Sequence, residues 1–218
     1  MRAKDYRARA WNALKGKIGN YAVVTIIFSA ITAGIAAIPF IGILSLFVAG
    51  PLTLGITIIS LMVAKNQKFQ ISNMFDGFKN FLNSFLLMLI NQIFIVLWTL
   101  LFVIPGIVKT YAYSMSFYIM ADNPELDQET CRKRSMEMME GHKWELFCLH
   151  FSFIGWAILS SLTFGIGFVF LIPYVQTATA EFYLNLKGED SVNVAYVDDG
   201  FVIKHEVYDA EELKDEKN

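Results

Sequence analysis

Charged side chains are scarce in this sequence. They make up 17% of its 218 residues, while apolar residues make up 55%; an average soluble domain is about one quarter charged. The apolar residues are also clustered in long runs that are separated by short charged islands, which is the pattern of chains that cross a bilayer. The sequence therefore predicts an integral membrane protein and argues against a water-soluble domain.

Cysteine and histidine are also rare, and their spacing indicates no reactive site. Cys131 and Cys148 are too few and too far apart in sequence for a disulfide framework. The three histidines are scattered, and the chain has no HExxH, GxSxG or glycine-rich phosphate loop. We therefore expect no enzymatic activity, no cofactor and no metal. An intramembrane hydrolase would need His150 to meet a nearby serine, and no spacing favours that arrangement over chance.

Six apolar blocks are candidate membrane spans. They cover residues 21–38, 40–64, 81–104, 107–121, 146–172 and 174–186. The connections around "IPFIG", "VIPGI" and "LIPY" are very short and nearly uncharged, whereas the others are longer and polar. The sequence thus predicts an all-α, polytopic membrane helical bundle of six spans, arranged as helical hairpins over about residues 20–64, 81–121 and 146–186.

The distribution of lysine and arginine predicts the orientation. The first nineteen residues hold six of these cations, the polar islands 65–80 and 122–145 hold three and four, and the tail from Lys187 holds four. Only Lys109 remains, and because basic flanks stay inside, both termini are predicted to be cytoplasmic. Residues 1–19 would form a basic amphipathic segment, residues 20–187 the membrane domain, and residues 188–218 an acidic, mostly disordered tail.

This organisation also predicts partners. Basic amphipathic segments attract an anionic inner leaflet, so membrane lipids are the expected contact. An unidentified protein partner fits as well, whereas neither end resembles a nucleic-acid-binding arm. The oligomeric state does not follow from the sequence.

The hairpins look like three copies of one unit. Gly16, Gly77 and Gly141 precede them at spacings of 61 and 64 residues. Two-span units return the chain to its starting side, so the copies are predicted to be parallel in orientation. The hairpin-defining residues are taken to be Pro51, Pro105, Gly106 and Pro173, with a proline opening each second helix. Residues 39–50 leave two alternatives open, a re-entrant segment or a kinked second helix.

Polar side chains recur at helical spacing along the second helix of each hairpin. The three stripes are Thr53, Thr57 and Ser60; Lys109, Tyr113 and Ser116; and Tyr174, Thr177, Glu181 and Asn185. Because a polar group facing lipid is unfavourable, these faces are expected to point inward, and Asn91 and Gln92 add amides to a first helix.

Within the spans, Lys109 is the basic residue and Glu181 is the acidic one. Three roles for Lys109 follow: an anchor that snorkels to the membrane surface, a structural ion pair with Glu181, or a transport or proton-handling site.

Several motifs resemble a known family. The stretches "MFDGFKNF", "LWTLLFVIPGIVKTYAYSMSFYIMADNPEL", "SMEMMEGHKWELFCLHFSFIGWAIL" and "LTFGIGFVFLIPYVQTATAEFY" are similar to the bacterial integral-membrane family known as domain of unknown function 975. The resemblance covers roughly residues 1–187 and implies a multi-pass protein of the bacterial cell membrane. Lys109 falls in its "PGIxK" pattern and Asp122–Pro124 in its "aDNP" pattern. It implies no activity, ligand or catalytic residue.

The function predicted from the sequence is that of a non-enzymatic membrane component or accessory protein. The alternative is a small carrier or channel for an ion, an amphiphile or a lipid, in which the polar faces of the second helices line a path.

Overall fold

The structure, a computed structural model, describes residues 2–36, 42–163 and 165–188. Regular secondary structure in these ranges is helical throughout, so the all-α prediction is confirmed. The expectations for the first hairpin turn at residues 37–41 and for the acidic tail after residue 188 lie outside the described residues.

The helices follow one another through short connections. In chain order they are α1 (Ala3–Leu14), α2 (Ile18–Ala36), α3 (Gly42–Ala64), a 3₁₀ helix (Ile71–Asn80), α4 (Phe81–Leu101), α5 (Val103–Tyr113), α6 (Ser116–Asp122), α7 (Gln128–Met138), α8 (Lys143–Phe151), α9 (Ile154–Leu162) and α10 (Phe168–Lys187). The six predicted apolar blocks overlap, in chain order, with α2, α3, α4, the α5–α6 pair, the α8–α9 pair and α10.

Three segments of the described chain are long and apolar enough to cross a membrane: Phe47–Ala64, Ile71–Leu101 and Lys143–Leu162. A fourth arises if α1 and α2 as far as Thr32 form one segment, although the two helices meet at 97°. The number is below six partly because α5 and α6 have only 11 and 7 residues. The six-span topology and the repeats stay predictions.

The hairpin prolines differ in position from the prediction. Pro105 is the third residue of α5, as expected for a helix opening, but Pro51 and Pro173 lie inside α3 and α10. Residues 42–50 are continuous with the rest of α3, so this part of the segment 39–50 is helical, while residues 39–41 lie outside the described residues. The prediction that a proline opens each second helix is therefore wrong for the first and third hairpins.

The described residues between α9 and α10, Thr163 and Gly165–Gly167, come before the predicted "LIPY" break. The amide of Gly165 donates to the carbonyl of Ser160, and the amide of Gly167 donates to the hydroxyl of Thr163. A Cβ on Gly167 would lie 2.7 Å from the Cα of Ser160, so glycine allows α9 and α10 to meet here. Because Pro173 comes one and a half turns into α10, it does not set this turn.

Backbones also meet without side chains between α3 and the 3₁₀ helix. A Cβ on Gly77 would lie 2.0 Å from the carbonyl oxygen of Pro51, and one on Gly55 would lie 1.8 Å from that of Met74. Gly77 therefore serves close packing. Gly16 and Gly141 instead have positive φ, +76° and +82°, in the turns after α1 and α7, so the three glycines of the predicted repeat do not play one role.

Helix α10 forms the centre of the fold. Its residues from Thr177 to Leu184 are all buried, and it contacts α1, α2, α3, α8 and α9. Tyr118 of α6 stacks on Tyr183, with ring centroids 5.7 Å apart. A helix buried around its whole circumference is typical of the inside of a bundle.

Helix α1 has a different environment from the one predicted for the basic segment. Its apolar residues Tyr6, Ala10 and Leu14 are buried, and they belong to the two apolar clusters of the core. The phenol of Tyr6 donates to Asn185 at 2.8 Å, at the end of α10. The apolar face of this amphipathic helix thus packs on protein, while Lys4 on the helix and Lys15 directly after it are exposed.

Replacing Gly77 by alanine is expected to destabilise the fold by about 3 kcal/mol, the upper end of overpacking effects, because the added methyl meets backbone atoms that cannot rotate away. Gly155→Ala is the matched control: a Cβ there meets nothing within 4 Å, and Gly155 is also helical. Thermal unfolding in detergent micelles measures both. Equal midpoints for the two variants would contradict the close contact of α3 with the 3₁₀ helix.

Candidate functional site: a buried polar interior and the Asp122 cluster

Lys109 lies against aromatic rings. Its ammonium nitrogen is 5.5 Å from the ring centroid of Trp98 and 5.9 Å from that of Tyr113, within the range of cation–π attraction. Among the described residues it forms no ion pair with Glu181. The structure therefore does not form the ion pair with Glu181 that was one of the three roles predicted for Lys109.

The other predicted polar residues are mostly interior. Thr177, Glu181, Asn91 and Tyr113 are buried, and Glu181 is only 1% exposed. Gln92 is the exception, because it is exposed on the surface of α4. The inward-facing polar stripe is thus found on α10, while the amide pair predicted on α4 divides between inside and outside.

Three helices bring hydroxyl groups together in the interior. Ser60 of α3 lies beside the phenols of Tyr21 from α2 and Tyr118 from α6. Tyr118 also contacts Gln176 of α10, with 3.1 Å between the phenol oxygen and the side-chain oxygen. Ser60 itself donates to the carbonyl of Thr57 at 2.8 Å. These groups link α2, α3, α6 and α10, as interhelical hydrogen-bonding residues do in membrane bundles.

Three hydroxyls of the interior have no hydrogen-bond partner in the described part of the chain: those of Tyr21, Ser116 and Thr177. All three residues are fully buried. An unsatisfied buried hydroxyl is unfavourable by about 1–3 kcal/mol. The interior therefore retains polar capacity that its own side chains do not use.

The ends of three helices are joined by an ion-pair cluster. We define the Asp122 cluster as Asp122 at the end of α6, Lys65 just after α3, and Lys187 and Tyr183 near the end of α10. The Lys65 ammonium is 2.6 Å from Oδ1 of Asp122, while Lys187 bonds to Oδ2. Tyr183 donates its phenol proton to the same Oδ2 at 3.3 Å. One carboxylate thus holds cations from two other helices.

The charges in this cluster compensate one another. Helix C-termini carry partial negative charge, so lysines are favourable there and a carboxylate is not. Asp122 ends α6 with a side chain only 10% exposed, and the two lysines compensate for that position. Burial acts to raise the pKa of Asp122, but hydrogen bonds from Lys187 and Lys65, with their charges, outweigh it and hold that pKa below its usual value.

The residues after Asp122 extend the same junction. The amide of Asn123 donates back to the carbonyl of Ile119 at 3.1 Å. The amide of Asn80, at the start of α4, donates to the carbonyl of Pro124 at 2.9 Å. The "DNP" motif therefore ties α6 both to the ends of α3 and α10 and to the beginning of α4.

Ser135 of α7 repairs the break between α5 and α6. Its hydroxyl donates to the carbonyl of Ala112 at 2.8 Å and accepts from the amide of Met115 at 3.2 Å. A helix interruption leaves backbone groups that need partners when they are buried. One fully buried serine supplies both, so the break is an ordered feature of the fold.

The histidine and serine side chains near α8 form local hydrogen bonds. In the described residues, no group of three or more histidine, cysteine, aspartate or glutamate side chains could hold a metal. The Nε2 of His150 lies 3.3 Å from the hydroxyl of Thr179. Ser152, two residues after His150 in the chain, donates its hydroxyl proton to the carbonyl of Leu149.

Sequence reasoning missed the Asp122 cluster as a site. In the sequence the three charges are edges of separate charged islands: Lys65, Asp122 and Lys187. The two ion pairs join residues that are 57 and 65 positions apart, so sequence spacing does not reveal them. The available signal was the "DNP" motif, together with the fact that each of the three charges ends an apolar block.

The geometry defines a class: an all-helical protein with several helices apolar enough to cross a membrane. The family model described as "Protein of unknown function (DUF975)" matches residues 1–110 and 100–190. The chain belongs to this family, so the resemblance drawn from its motifs is confirmed. No curated protein and no solved structure matches the chain.

Replacing Asp122 by asparagine is expected to destabilise the protein by about 2 kcal/mol, between the values typical of exposed and buried pairs. Because the pKa of Asp122 is lowered in the folded state, its contribution is present above the unfolded value of about 3.9 and is lost as the pH falls through the lower folded value. The midpoint difference from the unmodified protein should be constant from pH 7 to about 5 and shrink below about 4.

The matched control is Glu129→Gln, because Glu129 forms an exposed pair with Lys133 one turn away. Such pairs are worth little, so this variant should unfold near the original midpoint. An unchanged midpoint for Asp122→Asn at neutral pH would show that the cluster does not stabilise the junction.

Double-mutant cycles should separate the two charge arrangements. Asp122→Asn combined with Lys187→Met should show a coupling energy above about 1 kcal/mol, because the groups are in contact. Lys109→Met combined with Glu181→Gln should be additive within about 0.5 kcal/mol, because Lys109 lies on Trp98. Coupling in the second cycle, measured by chemical unfolding, would restore the ion-pair role of Lys109.

Proposed function

We propose that the chain is a multi-pass protein of the bacterial cell membrane that crosses the bilayer six times, with both termini inside. We propose further that it is a non-enzymatic component or accessory protein whose polar interior holds the bundle together.

The observation that carries this proposal is an inverted distribution of side chains. Large apolar residues are exposed while polar ones are buried: Leu100 is 82% exposed and Ile104 76%, whereas Ser60 and Thr177 are not exposed at all. Contiguous apolar surface is rare on soluble monomers and is expected where lipid is the solvent.

The two ends of the helices differ in a way that supports one orientation. The α4–α5 turn and the α9–α10 turn expose Leu101, Ile104 and Ile166. The Asp122 cluster instead gathers charges at the ends of α3, α6 and α10. With 21 residues, α4 is about 32 Å long, enough to cross the hydrocarbon core.

Lys109 takes the role of an anchor in this proposal. It follows the apolar α4–α5 turn and rests on Trp98 and Tyr113. Lysine, tryptophan and tyrosine are the residues that hold a helix end at the membrane surface. This role accounts for the one cation outside the charged islands without assigning it a transported ligand.

Cysteine labelling tests the topology. In a background without Cys131 and Cys148, a membrane-impermeant maleimide applied to intact cells should label cysteines placed at Ile104 or Ile166. It should not label cysteines placed at Lys68 or Lys133 until the cells are permeabilised.

The permeabilised sample is the control for reactivity, because every position should then be labelled. Labelling at 68 or 133 in intact cells would reject the orientation. Protection of 104 in intact cells, with labelling after permeabilisation, would reject the second hairpin.

A further inference from the structure

A groove of about 490 Å³ opens on the surface between α1, α9 and α10. We call it the Trp11–Trp156 groove. Its lining includes Trp11, Trp156, Thr163, Gly167, Leu171 and Tyr174.

Two contacts hold the groove open. At the turn, Gly167 packs on the backbone of Ser160 and fixes α10 to α9. At the other end, Arg7 of α1 donates to the carbonyl of Ser152 at 3.5 Å, and its guanidinium lies 5.4 Å from the ring centroid of Phe153. The walls are therefore tied at both ends, and the space between them is a feature of the fold.

The lining suits hydrocarbon. The Tyr174 hydroxyl already donates to the carbonyl of Arg7 at 3.1 Å, and the Thr163 hydroxyl donates to the carbonyl of Ser160 at 2.8 Å. Those polar groups are thus engaged by the protein itself. The two tryptophans, each about half exposed, present flat apolar faces, so the groove offers a surface for a chain of methylene groups.

The charges beside the groove have one sign. Lys4 and Trp11 are exposed seven residues apart on one face of α1, and the exposed Lys15 follows the helix directly. Asp5 is the acid of α1, α9 carries none, and the acid of α10, Glu181, is buried ten residues from Leu171. A cationic rim beside an apolar groove is complementary to a molecule with a hydrocarbon chain and a negative head.

We propose that the Trp11–Trp156 groove binds an acyl chain of an anionic phospholipid, whose phosphate is held by Lys15. This site rests on the membrane location proposed above. It adds a binding site for one class of lipid to a general contact with the bilayer. Lys17 contributes less, because its ammonium is bonded to Asn66 at 2.8 Å and to the carbonyl of Gln67.

Fluorescence quenching tests the proposal. The protein is reconstituted into phosphatidylcholine vesicles that contain a small, fixed fraction of brominated phosphatidylglycerol or, separately, brominated phosphatidylcholine. A variant with Trp98→Phe and Trp144→Phe keeps the two groove tryptophans of the four in the chain. Bromine on the anionic lipid should quench them about fivefold more effectively, the enrichment expected for one lysine near a phosphate.

Two further variants locate the effect. Lys15→Gln should reduce the quenching by the anionic lipid to the level of the zwitterionic lipid, while Lys68→Gln, the loss of another exposed lysine, should leave it unchanged. Leu159→Phe adds bulk to the groove from a half-exposed lining position without adding a second tryptophan. It should abolish the preference of Trp11 for the anionic lipid, which is read with Trp156→Phe in the same chain.

The outcomes separate this site from the membrane location. Equal quenching by both lipids overturns the anionic site, because the groove then meets bulk lipid alone. Quenching of Trp98, in a chain with the other three tryptophans replaced, without quenching in the groove means that another occupant, such as a second copy, covers it. Absence of quenching at Trp98 would instead overturn the membrane location itself.

Discussion

Charge compensation at the converging helix ends is the constraint on which the structure depends. α3, α6 and α10 end close together, where their exposed carbonyls make the local potential negative. The Asp122 carboxylate adds to that potential, and Lys65 and Lys187 reverse it. α10 and α6 both pack against α3, and the three charges stabilise the place where these helices end.

A second constraint comes from the polar interior. Lipid cannot satisfy hydroxyls and amides, so a bundle in a membrane gains by turning them toward one another. Tyr118, which bonds to Gln176 of α10, shows this in side chains, and Ser135 shows it for the backbone at the α5–α6 break. The family assignment and the helical architecture are shown; the membrane topology and the role as an accessory protein are our proposals.

Much of the helical organisation could be predicted because it depends on local pattern. Apolar blocks gave the positions of the long helices, and spacing along α10 indicated that Thr177 and Glu181 face inward. The turn at Pro105 and Gly106 was also readable, and Gly106 packs so closely on Thr99 that a Cβ there would lie 2.1 Å from its hydroxyl oxygen. The prediction that Pro51 and Pro173 open helices was wrong, because a proline is tolerated inside a helix whose neighbours satisfy the freed backbone groups.

The candidate site was less readable, because its geometry is set by distant parts of the chain. Counting lysines for orientation treated Lys65 and Lys187 as members of islands, and only folding brings them to Asp122. For Lys109 the sequence left three roles open, and spacing alone could not show that its ammonium group lies against Trp98 and Tyr113. For α1, the periodicity showed an apolar face correctly, while the identity of the surface that covers it could not be read from that helix alone.

The contact of α1 with α10 has a consequence for biosynthesis. α1 is synthesised well before its packing surface on α10, since Tyr6 bonds to Asn185, 179 residues further along the chain. Until that surface emerges, the apolar face of α1 needs a temporary cover, and under the proposed topology a lipid surface is a suitable one. In that case α1 rests on lipid during synthesis and moves onto protein once α10 has been made.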